Sequence, residues 1–309
     1  MNRCTTISIT RGLPAWLILC LLAVALAAAF VAACGGSGGG SASTPVATAT
    51  SAATPSASPP PASPSPSPTT AGTTTAALYF LRGEELGVAE RRVPLTTRPA
   101  TAALEALLAG PTAAERTAGL TSAIPQGTSL LDLSIDGTTA RVDLSARFAA
   151  GGGSLSMQAR VAQIVYTLTR FPTIKAVDFM LEGSAVDALG GEGLILDSGQ
   201  TRAAWRSFEP AIFVERPGVG AALTSPFTLG GTASVFEGTF TALLLDAGGG
   251  ELARATVQAS RGAPGRGRYR QSIPFDTSAA RGALIVYSQS MEDGSHQNEV
   301  RIPVTFAQE

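Results

Sequence analysis

The sequence is short of the side chains that carry most catalytic and metal-binding chemistry. Its 309 residues contain one histidine, His296, one lysine, Lys175, and three cysteines. Cys4 and Cys20 lie in an apolar N-terminal segment and Cys34 ends it, so we expect a mature chain without a disulfide, a free thiolate or a cysteine metal site. We therefore predict no metal, no cofactor and no catalytic residue, although these absences leave hydrolysis by carboxylates alone open.

The first 34 residues have the pattern of a secretory signal. Residues 1–12 carry two arginines and no acid, and residues 13–33 are uncharged and apolar. The run ends in Val31-Ala32-Ala33-Cys34, which resembles the bacterial lipobox, in which the cysteine thiol is diacylated and the bond before it is cut. We predict a signal peptide over 1–33, a lipid on Cys34 and a chain anchored to the outer side of the cell membrane. The alternative is an uncleaved transmembrane helix, since the 21 residues of this run would span a bilayer.

The next segment, residues 34–77, lacks charged and aromatic residues. It is built mainly of Gly, Ser, Ala, Thr and Pro, which bury too little apolar surface to offset the entropy of folding. We predict a disordered linker that lifts the folded part of the chain off the lipid surface. Without Arg3 and Arg11 the chain has 20 basic and 23 acidic residues, so its charge does not favour nucleic acid as a partner.

Residues 78–206 mix helix and strand patterns and predict an α+β domain, a small sheet with helices on one face. We expect a helix over 98–109, capped by Thr97 and stopped by Gly110-Pro111, and another over 155–170, stopped by Pro172. Apolar residues that alternate on both sides of Asp136-Gly137 predict a hairpin between the helices. Its inward-facing residues are expected to be Leu131, Leu133, Ile135, Ala140, Val142 and Leu144. The other strands are expected at 78–81, 88–93 and 174–182.

Several short segments of this domain resemble the GerMN domain of sporulation and germination proteins. They are Gly110-Pro111, Ile124-Pro125-Gln126-Gly127-Thr128, Arg141-Val142-Asp143-Leu144-Ser145 and Thr167-Leu168-Thr169-Arg170-Phe171-Pro172, the last leading to Val177 and Gly183. They follow one another in the order of the family and cover most of the domain. The resemblance implies a role in sporulation, germination or related cell-envelope assembly, and it carries over no catalytic residue.

Residues 209–306 predict an all-β sandwich of the immunoglobulin type, because short alternating segments recur with turn residues between them. The seven strands are expected near 211–215, 226–235, 239–246, 251–259, 267–275, 282–290 and 297–306. The Cys…Trp…Cys core of antibody domains is absent, since both tryptophans, Trp16 and Trp205, lie outside this segment. The stretches 219–230, 240–246 and 298–306 resemble the immunoglobulin-like domain that follows GerMN in spore germination proteins.

One segment of this second domain concentrates positive charge, RGAPGRGRYR at 261–270. We consider it a candidate contact with anionic lipid headgroups or wall polymers. The alternative interpretation is an exposed connection between two strands. The candidate residues are Arg261, Arg266, Arg268 and Arg270.

Acidic residues recur in a glycine-rich stretch of the first domain, at Glu182, Asp187, Glu192 and Asp197. Such carboxylates bind calcium or act as a pair in glycoside hydrolysis, but their spacing matches no calcium loop, and polar loop positions are the favoured interpretation. His296 is expected in a solvated loop, 292–296, and Lys175 as a surface charge on a strand beside Asp178.

These observations favour a non-catalytic envelope lipoprotein whose two domains bind other envelope proteins or peptidoglycan. A peptidoglycan hydrolase that uses the acidic stretch is the alternative from the enzyme class. An accessory lipoprotein of a membrane sensor kinase is another, since some GerMN-bearing lipoproteins are thought to have that role. A solute-binding lipoprotein is less favoured, because that class usually has two comparable α/β lobes around a cleft.

Overall fold

The computed structural model describes residues 72–190 and 193–307, which all belong to one compact unit. The predicted signal peptide, Cys34, most of the predicted linker and Glu192 lie outside the described residues. Within the described part, no helix is both long and apolar enough to cross a membrane.

The regular elements alternate between helix and strand before residue 200 and are strands alone in the second half, apart from short 3₁₀ turns. The helices are α1 (Pro99–Leu108), α2 (Ala113–Thr117) and α3 (Ser154–Leu168). The strands of the first domain are β1 (Thr73–Arg82), β2 (Glu85–Pro94), β3 (Leu120–Thr121), β4 (Leu130–Asp136), β5 (Thr139–Leu144), β6 (Ala176–Leu181), β7 (Ser184–Ala185), β8 (Ala188–Leu189) and β9 (Leu194–Ile195). Those of the second are β10 (Ile212–Arg216), β11 (Ala222–Leu223), β12 (Phe227–Ala233), β13 (Thr239–Asp246), β14 (Glu251–Gln258), β15 (Gly267–Ile273), β16 (Arg281–Gln289) and β17 (His296–Phe306). The 3₁₀ turns are Ala146–Ala149, Arg202–Phe208 and Phe236–Gly238.

The first domain is α+β, as the sequence predicts, but its strands form separate sheets. One sheet has the order β2-β1-β3, another β4-β5-β6-β7, and β8 pairs with β9 alone. The parallel strands β5 and β6 are joined through α3, the crossover that a parallel pair requires. Because α3 packs on both β1 and β6, it lies between the two larger sheets and shields both from water.

The first strand begins at Thr73, inside the segment predicted as linker. The cause is its partner: β1 pairs with β2 without interruption from Arg82–Glu85 to Thr73–Pro94. The fully buried apolar residues Leu78 to Phe80 mark this strand in the sequence. Backbone pairing with β2 extends the strand beyond them towards the N-terminus.

Two local predictions for this domain are wrong. Arg98, and not Thr97, is the N-cap of α1, and no side chain caps the helix, which starts on Pro99. In the hairpin, Leu133 is buried but Leu131 and Ile135 are each 49% exposed. A bulge between Leu130 and Asp132 shifts the register of β4 against β5, and β4 is an edge strand with one neighbour. The returning residues of β5, from Ala140 to Leu144, alternate inward as predicted.

Helix α3 carries buried polar residues as well as the predicted apolar stripe. The Gln163 side chain accepts a hydrogen bond from the Ala123 N–H at 2.9 Å and donates one to the Tyr79 carbonyl at 3.2 Å. Thr167 Oγ1 accepts from the Tyr79 N–H at 3.1 Å. The Arg160 guanidinium donates to carbonyls of the loops around Ala123 and Phe148. These bonds satisfy backbone groups that helix packing removes from water and fix α3 against β1.

The second domain is a two-sheet sandwich, and all seven predicted strands are present. The sheets have the orders β10-β12-β15 and β11-β17-β16-β13-β14. The short strand β11, which the sequence analysis missed, runs parallel to the end of β17. His296 is the first residue of β17 and not part of the preceding loop; its exposed ring stacks on Tyr287.

One continuous hydrophobic core runs through both domains. At their junction the backbone of β2 pairs with residue 219: the Glu90 N–H donates to the Val219 carbonyl and the Val219 N–H to that of Val88, both at 2.8 Å. Gly218 is required beside this pairing, because a Cβ there would lie 3.0 Å from Glu90 N and Val88 O. The two domains are thus joined by backbone hydrogen bonds and by shared apolar packing.

Candidate functional site

A network of charged and aromatic side chains joins the domains on the side where the chain passes from one to the other. Arg202 in the 3₁₀ turn forms an ion pair with Glu215 of β10. It also donates to the Tyr79 hydroxyl at 3.1 Å and, through Nε, to Thr169 Oγ1 at 2.8 Å. Its guanidinium lies 5.1 Å and 4.7 Å from the ring centroids of Tyr79 and Tyr166. We call this network, with the members added below, the interdomain latch.

The second half of the latch is centred on Glu209. Its carboxylate accepts a hydrogen bond from the Tyr166 hydroxyl at 2.6 Å and forms an ion pair with Arg266 at 3.0 Å. Arg266 donates further to the Pro210 carbonyl at 3.0 Å and to Thr232 Oγ1 at 3.2 Å. Two arginines and two glutamates therefore neutralise each other at the domain boundary, which the Arg202–Glu215 pair and the Tyr166–Glu209 hydrogen bond cross, and the network links α3, β10 and β12.

The latch has a definite protonation state. Burial and Glu215 raise the pKa of Tyr79 above its ordinary value against the opposing effect of Arg202, and burial with Glu209 raises that of Tyr166. Burial disfavours the charged form of Glu215, but Arg202 and the Tyr79 hydroxyl outweigh it and hold its pKa below the ordinary value. At neutral pH the phenols are therefore donors, and Glu215 is an ionised acceptor.

Beside the latch lies a cleft of about 1170 Å³ whose lining is dominated by arginine. It has eight arginines and two acidic residues, the latch glutamates Glu209 and Glu215. The arginines are Arg170, Arg202, Arg206, Arg216, Arg261, Arg266, Arg268 and Arg270. The chain as a whole has 22 basic residues and a net charge of −1, so this cleft holds a large share of its positive charge. We call it the arginine cleft.

The floor of the arginine cleft is the outer face of the three-stranded sheet. Strand register places Gly230 of β12 between Arg216 of β10 and Arg270 of β15. The next position on this face pairs Thr232 with Arg268. Residues of the opposite face, such as Tyr269, are buried, and its hydroxyl donates to the Phe213 carbonyl at 3.0 Å. The alternation of a strand therefore sends arginines into the cleft and the tyrosine into the core.

Within the described residues, six of the eight guanidiniums make no hydrogen bond or ion pair, although the charge of Arg170 contributes to lowering the pKa of Glu215. Within residues 72–190 and 193–307, the side chains of Arg202 and Arg266 are engaged in the latch, whereas the others make no hydrogen bond or ion pair. Five of these six are exposed, and the remaining one, Arg170, is half-buried. A concave surface with unneutralised guanidiniums attracts anions and binds them through paired N–H donors.

The four arginines singled out in the sequence all line this cleft, in different roles. Arg266 is a latch residue, Arg268 and Arg270 point from β15, and Arg261 lies in the loop before it. The sequence analysis missed Arg170, Arg202, Arg206 and Arg216. They come from three separate segments, with Arg202 and Arg206 sharing the 3₁₀ turn, and only the fold brings them together with the basic segment.

The other sequence candidates do not assemble into a site. Glu182 and Asp197 are exposed, and the Glu182 carboxylate accepts a hydrogen bond from the Ala146 N–H. Asp187 and Asp197 line a smaller pocket of about 310 Å³ with Asp178, yet no group of three or more His, Cys, Asp or Glu side chains in the described part is placed to hold a metal ion. Lys175 is exposed and immediately precedes β6.

Family comparisons identify both domains. The model Germane, described as sporulation and spore germination, matches residues 77–187. The model Gmad2, described as the immunoglobulin-like domain of bacterial spore germination, matches residues 211–295. The chain carries a GerMN-type domain followed by a Gmad2 domain. The resemblances stated from the sequence are thereby confirmed, and the lipid anchor stays a prediction.

Of three solved structures with similarity to the chain, two are of GerMN domains and one is of a lipoprotein. The tandem GerMN domains of the sporulation protein GerM from Bacillus subtilis are 17% identical with a TM-score of 0.38, and the alignment covers 66% of this chain and 62% of that one. The first GerMN domain of the same protein is 22% identical with a TM-score of 0.35, covering 42% and 99%. A lipoprotein from Clostridium perfringens, described as putative, is 22% identical with a TM-score of 0.31, covering 42% and 89%. Comparison with curated proteins gave no match.

The arginine cleft is built jointly by the two domains. The GerMN domain contributes Arg170, which follows α3, and the connecting 3₁₀ turn contributes Arg202 and Arg206. The Gmad2 domain contributes the other five arginines. The site therefore belongs to the pair of domains in this order, and neither domain contains it alone.

Proposed function

We propose that this chain is a non-catalytic binding protein of the cell envelope, tethered by lipid on Cys34, and that the arginine cleft is its binding surface. One observation carries the proposal: six unpaired guanidiniums converge on a concave surface that both domains build. Such a surface binds and orients an anionic partner, and the cleft residues include no nucleophile paired with a base.

The domain composition supports the cellular setting. Both matched families are those of sporulation and spore germination, which favours a role in that process or in related envelope assembly. The predicted lipid anchor and linker would confine the cleft to a shell next to the membrane. We propose an envelope component with anionic groups, from the wall or from another envelope protein, as its partner.

Crosslinking inside the host cell tests this proposal. A photoreactive amino acid is placed at Arg206, which is exposed in the cleft, and in a control chain at Thr256, which is exposed on β14 of the other sheet. We expect a discrete crosslinked partner from position 206 and not from position 256. Equal crosslinking from both positions, or none from position 206, would contradict the cleft as the binding surface.

The phenotype of cleft variants in the host cell is a second test of this proposal. The triple substitution Arg206→Gln, Arg268→Gln, Arg270→Gln should reproduce the phenotype of a deletion while the protein still accumulates in the membrane fraction. The control Arg281→Gln, Arg301→Gln, which changes exposed arginines outside the cleft, should behave as wild type. A wild-type phenotype for the triple variant would rule out a role for the cleft.

A further inference from the structure

The unpaired arginines of the cleft define the chemistry of its ligand more narrowly than charge alone. All eight of its cationic side chains are guanidiniums, and the chain's single lysine lies elsewhere. A guanidinium presents planar, paired N–H donors that match two oxygens of one phosphate, whereas an ammonium acts as a point charge. A surface that uses arginine throughout is suited to ligands with paired anionic oxygens.

The cleft is too large and too highly charged for a single anion. Its volume of about 1170 Å³ exceeds that of most sites for a drug-sized molecule, roughly 300–1,000 Å³. Six unpaired guanidiniums require several anionic groups for neutralisation. The ligand must therefore be an oligomer or polymer that carries charges in succession.

The floor of the cleft has room for the backbone of such a polymer. Gly230 has no side chain, and the strands on either side place Arg216 and Arg270 about 9.4–9.8 Å apart, two strand spacings. Arg268 stands two residues from Arg270 on the same face, about 6.8 Å along the strand. This arrangement is a trough over Gly230, with Arg216 on one side and with Arg268 and Arg270 in succession along the other.

The lining also argues against recognition through rings or bases. Tyr269 is the one aromatic residue among the lining residues, and it is buried with its hydroxyl bonded to a carbonyl. Proteins that bind single-stranded nucleic acid or sugar rings use exposed aromatic side chains for stacking. A concave trough also fits a chain that enters it better than it fits the flat surface of a bilayer.

From this geometry we infer that the arginine cleft binds a linear phosphodiester or polyphosphate polymer through its backbone phosphates. The inference rests on the proposed function and names the ligand class of the same site. Arg216, Arg268 and Arg270 contact successive phosphates over Gly230, while Arg202 and Arg266 stay in the latch and hold the walls in place.

The test measures binding of the full-length chain, held in non-ionic detergent, to defined polyanions. The probes are linear inorganic polyphosphate, poly(glycerol phosphate), polyglutamate of similar length and charge, and vesicles of phosphatidylglycerol with phosphatidylcholine. The variants are Arg268→Gln, Arg270→Gln in the cleft and the matched pair Arg281→Gln, Arg301→Gln outside it. Thermal unfolding of each variant shows that it is folded.

We expect both phosphate polymers to bind at least about tenfold more tightly than polyglutamate. The cleft variant should lose about tenfold or more in affinity and have a shallower dependence of log K on log salt, because fewer counterions are released. The matched pair should bind as wild type. Substitution of Gly230 by leucine, which places a side chain in the trough without a backbone clash, should weaken binding as well.

Two outcomes overturn the inference and leave the proposed function standing. Equal binding of polyglutamate and phosphate polymers would show a cleft for anions of any kind. Binding of vesicles that depends on the cleft arginines, without binding of the polymers, would make the ligand a lipid headgroup. If no polyanion binds, or if binding is the same in the cleft variant, the inference is wrong, and crosslinking from position 206 then decides whether the cleft binds an envelope protein instead.

Discussion

At the scale of single residues, Arg202 connects Glu215 of the second domain with three side chains of the first. Its guanidinium pairs with Glu215, donates to Tyr79 and Thr169, and stacks on two tyrosine rings. The ion pair is only partly accessible, with 28% and 24% of the two side chains exposed. A lysine would offer neither the planar stacking nor the fork of donors, so even this conservative change is expected to weaken the latch.

The first prediction concerns that ion pair. Arg202→Gln should lower the free energy of unfolding by about 3 kcal/mol, the low end for a broken buried pair, because Glu215 keeps its charge and loses its partner. Urea unfolding measures the change. The exposed pair Arg254–Glu251 supplies the control, and Arg254→Gln should have no measurable effect. Equal effects of the two substitutions would contradict the role assigned to the latch.

The second prediction concerns pH. The pKa values of Tyr79, Tyr166 and Tyr269 are all raised, with burial as the first cause, above the ordinary 10.0. Their stabilising effect is therefore complete below pH 10.0 and is lost as the pH rises above it, since the unfolded chain releases these protons first. Tyrosinate absorbance and circular dichroism should change together in alkali. Ionisation of these three tyrosines in a chain that is still folded would contradict it.

At the scale of elements, strand β12 shows why two adjacent glycines have different roles. A Cβ on Gly231 would lie 2.0 Å from the Phe213 carbonyl oxygen, whereas one on Gly230 would meet only the Tyr269 carbonyl at 3.6 Å. Gly231 therefore allows β10 and β12 to approach each other. Gly230 leaves the trough open and is not required for packing.

The third prediction uses this contrast. Gly231→Ala should lower the free energy of unfolding by about 2 kcal/mol or more, because the clash is with backbone that cannot move away. Gly230→Ala should change it by less than about 0.5 kcal/mol. Thermal and urea unfolding of the two variants give the comparison, and equal stability of both would show that the strands adjust around residue 231.

The strands and helices of this protein were predictable where their apolar residues recur with the period of a strand or a helix. Seven of the eight strands of the second domain and the buried stripe of α3 were predicted from apolar alternation and spacing. The errors arose where contacts with another part of the chain, or the local geometry at the end of an element, determine the structure. The start of β1 at Thr73 depends on β2, the exposure of Leu131 depends on a bulge, and Pro99 starts α1 without a capping side chain. Pairing and bulges are tertiary effects that a local pattern does not contain.

The candidate site was likewise predictable only where its residues are close together in the sequence. RGAPGRGRYR is visible as a basic segment because its arginines are close in sequence, and three of them stay unpaired in the cleft. Arg170, Arg202, Arg206 and Arg216 were out of reach, since they join the cleft only when α3, the 3₁₀ turn and β10 are packed together.

At the scale of the whole molecule, the two domains share one core and are joined by the latch and by the backbone pairing at Val219. Independent domains are usually connected by small, polar interfaces and move relative to each other. The contacts in this chain favour a fixed arrangement instead. A cleft that takes its arginines from both sides needs such an arrangement to keep its shape.

The fourth prediction is that the described part of the chain unfolds as one cooperative unit. Scanning calorimetry should give a single transition with equal calorimetric and van't Hoff enthalpies, although the two domains together exceed the usual size for two-state behaviour. In the variant Glu209→Gln, Glu215→Gln the latch arginines lose their partners, and the transition should separate into two. Two transitions in the wild-type chain would show that the interface is too weak to couple the domains.

Because both domains supply arginines to the cleft, the evolution of one domain is constrained by the other. A gene fragment that encodes the GerMN domain alone keeps one of the eight arginines, and a fragment for the Gmad2 domain keeps five. A recombination event that exchanges either domain must also supply a matching arginine or glutamate for the latch. Otherwise the residues that line the cleft are no longer held in position. Under the proposed function, selection acts on the tandem as a unit, and the two domains are expected to change together along their lineage.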